Sequence, residues 1–332
     1  MAYDDRSVKP MSASLMRARI AARMLAGLYE DVPTLLTSAV RLMVEMPGGA
    51  GAGGPPYPLT IAVSPAWCSG VQGARLVGTK KIDIAWINPS VITTMAHNGK
   101  GPFRRPLPIR ALAVFPSWDR LVMAVDSRLG IRSMEELKEK RPKLSVSLAT
   151  NDCVDFAIRM MLKAHGLKVE SFTEWGGVIE PVVRPSNPRR RDGIISGEIN
   201  AVIDEGLDSW GEVAVKQGWV FLPFSKKALA KLAGYGFKRA PLAGGRLQGS
   251  FDGPTEVIDY SGWPIVTHAE LPDDIAYHMI GVLERIREEI PYDSAEIPPM
   301  SSFCRSSEES PLDIPLHPGA ERYYREKGYL AR

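Results

Sequence analysis

Short apolar runs that alternate with helical segments are the feature that most constrains the fold of this chain. Seven such runs lie between residues 59 and 224, and each is long enough for one strand. They are LTIAV (59–63), IDIAWI (82–87), IRALAVF (109–115), RLVMAV (120–125), KLSVSLA (143–149), INAVI (199–203) and WVFLPF (219–224). Strands separated by helices are typical of βαβ units with largely parallel sheets. The sequence therefore predicts an α/β fold.

Helix start and stop signals support this prediction. Ser133 and Glu136 have the spacing of a capping box, so we expect a helix to begin after Ser133. Residues 150–152 offer side-chain oxygens for capping another helix. Pro188 suits the first turn of a short helix that ends at Gly197. Residues 225–262 show weaker helix and strand patterns and are predicted to form loops with one short helix.

The N-terminal region differs from the rest of the chain. Residues 1–46 predict two helices, the first basic and amphipathic, and the Gly- and Pro-rich residues 47–58 predict a turn or a flexible loop. Gly49 to Gly54 match the dinucleotide pattern GxGxxG, which requires a strand before it and a helix after it. Here a predicted helix precedes the glycines and two prolines follow them. We therefore expect no nucleotide site.

Composition and charge exclude several classes of function. A chain of 332 residues has room for about two domains. With 41 Lys and Arg against 38 Asp and Glu, it has no basic excess that would favour nucleic acid as a partner. Its three cysteines and five histidines show no metal-ligand spacing, so we expect neither a metal nor a cofactor. We also expect no membrane span. Without an export signal the chain as written is expected in the cytoplasm, or in the periplasm if a leader is missing.

Polar and aromatic residues follow several of the predicted strands. In open α/β sheets, ligands bind beyond the carboxyl ends of the strands. Side chains at these ends are therefore predicted to bind a small organic molecule, and none of them is predicted to be catalytic. These candidate substrate-binding residues are Ser64, Trp67, Ser69, Trp86, Asn88, Thr150, Asn151, Asp152 and Glu205.

The later part of the chain resembles a known family. The string PLHPGAERYYREKG (315–328) is similar to the closing signature of the TAXI family of TRAP-transporter solute-binding proteins. Residues 109–138, 195–206 and 271–280 also resemble that family, in the same order. The resemblance implies a two-lobed periplasmic-binding-protein fold of the second type, in which each lobe has a mixed, mostly parallel sheet flanked by helices. It implies a small carboxylate or amino acid-like ligand, with or without an aromatic body, and a TRAP-type permease as partner.

The resemblance also implies a division of the chain. Lobe I would contain residues 47–120 and 225–332, lobe II would contain residues 121–224, and the N-terminal helices of residues 1–46 would be additional. Residues 150–152 replace the Gly-Ser-Gly turn that the family usually has at the start of the lobe II helix. A carboxylate at Asp152 would repel the usual anionic ligand or occupy its place.

Two other functions remain open from the sequence. One is a cytoplasmic enzyme on the same fold, a decarboxylase or lyase of an aromatic acid, because Asp152 and Cys153 lie at a predicted helix N-terminus that would stabilise a thiolate. Asp204 or Glu205 could then act as an acid or a base. The other is a sensor that docks partners through its N-terminal helices.

Overall fold

A computed structural model describes residues 23–24, 70–150, 154–182, 185–242, 247, 255–290 and 296–331. Three features predicted from the sequence lie largely or wholly outside these residues: the N-terminal helices, the Gly- and Pro-rich loop and the strand at 59–63. Of the predicted N-terminal helices only Arg23 and Met24 are described, and both are helical.

The described strands are β1 (Ile84–Trp86), β2 (Ile109–Phe115), β3 (Arg120–Val125), β4 (Ser145–Ala149), β5 (Val178–Val182), β6 (Ala201–Asp204), β7 (Val220–Phe221), β8 (Arg239–Leu242), β9 (Thr255–Asp259) and β10 (Trp263–His268). They form two sheets. In the smaller sheet, of order β1-β10-β2, each neighbouring pair is antiparallel. The larger sheet has the order β5-β4-β6-β3-β9-β8, and β7 also pairs with β3. Within it β4 is parallel to β5 and β6, and the other pairs are antiparallel.

Helices flank both sheets, so the chain has the predicted α/β class, and the larger sheet is mixed. Six of the eight described strand pairs are antiparallel, however, so the sheets are not mostly parallel as expected. None of the described helices has the length and apolar character needed to cross a membrane. The α-helices are α1 (Val71–Gly78), α2 (Ser90–Asn98), α3 (Met134–Lys140), α4 (Asp155–Ala164), α5 (Glu170–Glu174), α6 (Pro188–Ser196), α7 (Leu207–Lys216), α8 (Lys226–Tyr235), α9 (Asp273–Ile286) and α10 (Pro318–Glu326).

Local signals placed several of these elements correctly. The Ser133 hydroxyl accepts a hydrogen bond from the Glu136 amide at 3.1 Å, as the capping box predicts. Helix α6 begins at Pro188 and ends before Gly197, whose φ of 82° is left-handed. In contrast, residues 225–262 hold two strands, β8 and β9, besides the expected helix. Strand β9 pairs with β3 and β8 pairs with β9, so both belong to the larger sheet, although the family resemblance implied that this stretch lies in lobe I.

The buried apolar residues form two cores. The first surrounds the larger sheet and also includes residues of the smaller sheet, such as Ile109 and Val266, and the second lies against the smaller sheet. Every residue of β3 is buried, as expected for the central strand of a sheet covered on both faces. In the smaller sheet, Leu112 and Phe115 pack against α9 and α10. Tyr324 of α10 is fully buried, and its hydroxyl donates a hydrogen bond to the carbonyl oxygen of Leu112 at 3.0 Å. The C-terminal string that resembles the TAXI family therefore closes this second core.

Gly319 marks a close contact between α10 and α9 that tolerates no side chain. A Cβ at this position would lie 1.9 Å from the carbonyl oxygen of Asp273. We expect Gly319→Ala to lower the free energy of unfolding by about 3 kcal/mol, because one helix must shift to relieve the overlap. Urea denaturation measures the loss. Gly234→Ala is the control, since a Cβ there meets nothing within 4 Å and should stabilise α8 by about 0.5 kcal/mol. Equal effects of the two changes would contradict this packing.

Candidate functional site

Two chain crossings join the smaller sheet to the larger one. The first crossing, residues 116–119, connects β2 to β3, and the second crossing, residues 260–262, connects β9 to β10. The Gly262 amide donates a hydrogen bond to the Ser117 carbonyl oxygen at 2.8 Å. The two crossings therefore run side by side and form the connection about which the sheets could move.

Arg120 holds the second crossing against the first. Its guanidinium is fully buried, and Nη1 donates to Asp259 Oδ1 and to Ser261 Oγ, both at 2.9 Å. Nε donates to the Pro241 carbonyl oxygen at 3.1 Å. Nη2 donates to a carboxylate oxygen of Glu308. A buried guanidinium requires such a complete set of acceptors, because its charge has no access to water.

A third segment lies across the first crossing. We call residues 296–310 the C-terminal strap. The Ser117 amide donates to the Glu309 carbonyl oxygen at 2.8 Å, and the Trp118 indole Nε1 donates to Glu308 Oε1 at 3.0 Å. The strap thus contacts the chain at the point where the two sheets meet.

A cavity of about 510 Å³ lies between the first crossing, the start of α7 and the C-terminal strap. This volume is within the range of pockets that hold small organic ligands. Its lining residues are Pro116, Ser117, Trp118, Asp208, Glu296, Ile297, Pro298, Pro299, Ser302, Ser307 and Glu309.

The lining combines three kinds of surface. Trp118, Ile297 and the prolines present an apolar wall, which suits the body of an organic molecule. Serine hydroxyls can donate and accept hydrogen bonds, and the carboxylates of Asp208 and Glu309 can accept them. A small molecule with an apolar body and polar groups fits such a lining.

Asp119, the last residue of the first crossing, forms a pair of carboxyl groups with Glu205. Asp119 accepts hydrogen bonds from the amides of Arg120 and Gly206, both at 2.7 Å, and its side chain is hydrogen-bonded to that of Glu205. Burial raises the pKa of Asp119 to about 6, and the charge of Asp208 acts in the same direction. Because a hydrogen bond between two carboxyl groups needs a proton, Asp119 and Glu205 share one.

This shared proton is expected to make stability depend on pH. Because the folded-state pKa of Asp119 lies above its ordinary value of 3.8, the native protein binds this proton more tightly than the unfolded chain does. The resulting stabilisation is complete below about pH 4 and is lost as the pH rises through about 6. Between these limits we expect the wild type to lose about 2 kcal/mol relative to Asp119→Asn, as measured by urea denaturation. Parallel pH profiles of the two proteins would contradict the shared proton.

The structure places one predicted site residue, Glu205, beside Asp119 at the end of the first crossing. Trp86 instead packs in the second core, with its ring centroid 4.5 Å from that of Phe115. Thr150 bonds through its amide to the Val182 carbonyl oxygen at 2.9 Å and extends the β4–β5 pairing. Asn88 is half-buried and precedes α2. None of these four lines the cavity. Ser64, Trp67, Ser69, Asn151 and Asp152 lie outside the described residues, as does Cys153, so their predicted roles stay predictions.

The proposed role of Asp204 as an acid or base is wrong. Its side chain is fully buried and forms an ion pair with the equally buried Arg190, at 2.5 Å between Oδ2 and Nη1. Arg190 Nε also donates to Ser147 Oγ at 3.0 Å. A carboxylate enclosed in this way cannot reach a substrate, and it contributes to the core instead.

Trp118 and the C-terminal strap were not among the site residues predicted from the sequence. The sequence does hold a signal for both, since Trp118 lies between two apolar runs and SSFCRSSEES (301–310) is a polar stretch. Across the ranges that the structure describes, His, Cys, Asp and Glu form no group of three that could hold a metal ion.

No protein-family model matches the chain. Solved structures with similar folds include one described as a periplasmic transporter, with 14% identity over 94% of this chain and 88% of that one, at a TM-score of 0.39. PhnD1 from Prochlorococcus marinus, in complex with methylphosphonate, has 12% identity over 78% and 84% of the two chains, at a TM-score of 0.37. The periplasmic aliphatic sulphonate binding protein SsuA from Escherichia coli has 13% identity over 83% and 72%, at a TM-score of 0.33. Likenesses of this size do not identify a ligand.

Proposed function

We propose that the protein binds a small organic solute in the cavity between the first crossing and the C-terminal strap. The solute would be a carboxylate or an amino acid-like molecule with an apolar or aromatic body. The observation that carries this proposal is the position of the cavity, beside two hydrogen-bonded crossings that join the sheets. Sites between parts that can move as units are frequent places for ligand binding.

The lining assigns a role to each kind of residue. Trp118 and Ile297 would cover the apolar body of the solute, and Ser302 and Ser307 would orient its polar groups. Carboxylates such as Asp208 would accept hydrogen bonds from an amino group. Movement of the sheets about the crossings would exclude water from the bound solute. Delivery to a TRAP-type permease, as the family resemblance implies, belongs to the same proposal.

Native mass spectrometry of the purified protein is the first test, because a tightly held solute can be carried through purification. A panel of carboxylates and amino acids is then tested by thermal unfolding. A ligand at a hundred times its Kd should add about 2.7 kcal/mol of stability. Failure of the whole panel, together with an empty native protein, would contradict the proposal.

A pair of tryptophan substitutions locates the binding site. Ser302 lines the cavity, and its neighbour Ser301 in the same strap does not. We expect Ser302→Trp to fill the cavity and abolish stabilisation by the solute, and Ser301→Trp to retain it. Loss of binding in both variants would point to a general effect on the strap, and retention in both would place the solute elsewhere.

One observation favours a second candidate function, an enzyme that acts on an aromatic acid. A carboxyl group whose pKa lies near 6, like that of Asp119, suits proton transfer close to neutral pH. Once the bound solute is identified, nuclear magnetic resonance measures whether the protein consumes it. Turnover that disappears in Asp119→Asn, while binding persists, would support the enzyme. Binding without any consumption would exclude it.

A further inference from the structure

We propose that Arg120 and Trp118 form a carboxylate-binding site, which Glu308 occupies in the structure and which the carboxylate of a solute takes over by displacing Glu308. This inference rests on the proposed function, since it names the group by which the cavity would hold its solute. It makes Glu308 an internal competitor of the ligand.

Two donors converge on one oxygen atom of Glu308. The Trp118 indole Nε1 donates to Oε1 at 3.0 Å, and Arg120 Nη2 donates to the same atom. The indole ring also packs on the guanidinium, with 4.7 Å between the ring centroid and Cζ. A guanidinium that is held in place and aided by a second donor is a strong and specific binder of carboxylates.

The difference in burial between Arg120 and Glu308 makes exchange of the carboxylate feasible. Arg120 is fully buried, whereas the side chain of Glu308 is 61% exposed. If Glu308 leaves, the bonds from Arg120 to Asp259, Ser261 and Pro241 keep the guanidinium where it is. A buried cation is costly without its anion, so replacement of one carboxylate by another preserves the balance of charge.

The strap does not need to unfold for this exchange. Phe303 anchors it in the second core and is fully buried. Near Glu308, Ser310 Oγ donates to the Ser302 carbonyl oxygen at 2.9 Å, and the hydroxyls of Ser307 and Ser310 are 2.8 Å apart. The strap therefore stays in place while the exposed Glu308 side chain rotates away. Because Trp118 also lines the cavity, the two donors that Glu308 leaves would lie at the edge of the cavity.

The test compares benzoate with benzamide, a neutral molecule of nearly the same shape, by isothermal titration calorimetry. Removal of the competitor in Glu308→Ala should raise the affinity for benzoate at least about tenfold over wild type and leave that for benzamide unchanged. Glu308→Gln keeps an acceptor for both donors, so it guards against loss of folding and should give a smaller gain. Glu270→Ala removes a similarly exposed carboxylate, which pairs with Lys80 and does not line the cavity, and it should behave like wild type. Trp118→Phe, added to Glu308→Ala, should reduce the gain severalfold.

Each outcome either supports or overturns the displacement of Glu308. A gain confined to benzoate and to the Glu308 variants supports the displacement. No gain in either Glu308 variant, an equal gain for benzamide or an equal gain in Glu270→Ala overturns it. If the wild type binds solutes of the panel while the Glu308 variants gain nothing, the displacement alone fails and the proposed function stands. If no protein of the series binds any solute, both fail.

Discussion

Replacing Arg190 by Met is expected to lower the free energy of unfolding by about 3–5 kcal/mol. Arg190 and Asp204 are both fully buried, and the change would leave the Asp204 carboxylate in the core without its cation. It would also remove the donor to Ser147 Oγ. Urea or guanidinium denaturation measures the loss.

Two further variants test this interpretation. In Arg190→Met/Asp204→Leu both charges are gone, and most of the lost stability should return, because an apolar pair can replace a buried ion pair. Arg189→Met is the matched control on the same helix. Its side chain is 68% exposed and its ion pair with Glu180 spans 3.3 Å, so we expect a change below about 1 kcal/mol. A double variant no more stable than Arg190→Met would show that the broken ion pair is not the cause of the lost stability.

Replacing Arg120 by Met should have a comparable effect, with a loss of about 3–5 kcal/mol. The change removes the donors that tie Asp259, at the end of β9, and Ser261, in the second crossing, to the start of β3. It also leaves Asp259 largely buried without its cation. We also expect the crossings to loosen. Hydrogen exchange at the Gly262 amide, which bonds to the Ser117 carbonyl oxygen, reports this loosening directly.

The control for Arg120 is Arg128→Met. Arg128 also forms an ion pair, with Asp126, but its side chain is 80% exposed. Solvent screening should keep the loss well below that of Arg120→Met, and exchange at Gly262 should not change. If both arginine variants lost the same stability, or if exchange at Gly262 stayed slow in Arg120→Met, Arg120 would not be the residue that holds the crossings together.

The apolar runs predicted those strands in which most residues are apolar. The bounds of β2 and β3 agree with the runs 109–115 and 120–125, because every residue of these strands other than Arg110 and Arg120 is apolar and buried. The strands β5, β8, β9 and β10 were missed. A proline interrupts β5, β8 and β10, and in β9 only Val257 and Ile258 are apolar, so none of the four has a long continuous apolar run.

The candidate site was predictable only in part. Glu205 was predicted as a site residue because it follows a buried strand, and the structure places it beside Asp119 of the first crossing. The same reasoning failed for Asp204, because its partner Arg190 lies on a helix whose packing no spacing rule reveals. The contact between Glu308 and Arg120 joins positions 188 residues apart, and no local pattern could predict it.

A crystal structure of the protein with its co-purified solute, or with the most stabilising member of the panel, tests the proposed binding site. We expect solute density inside the cavity, against the indole of Trp118 and between the first crossing and the C-terminal strap. Density for the solute at any other place, with this cavity holding only water, would contradict it.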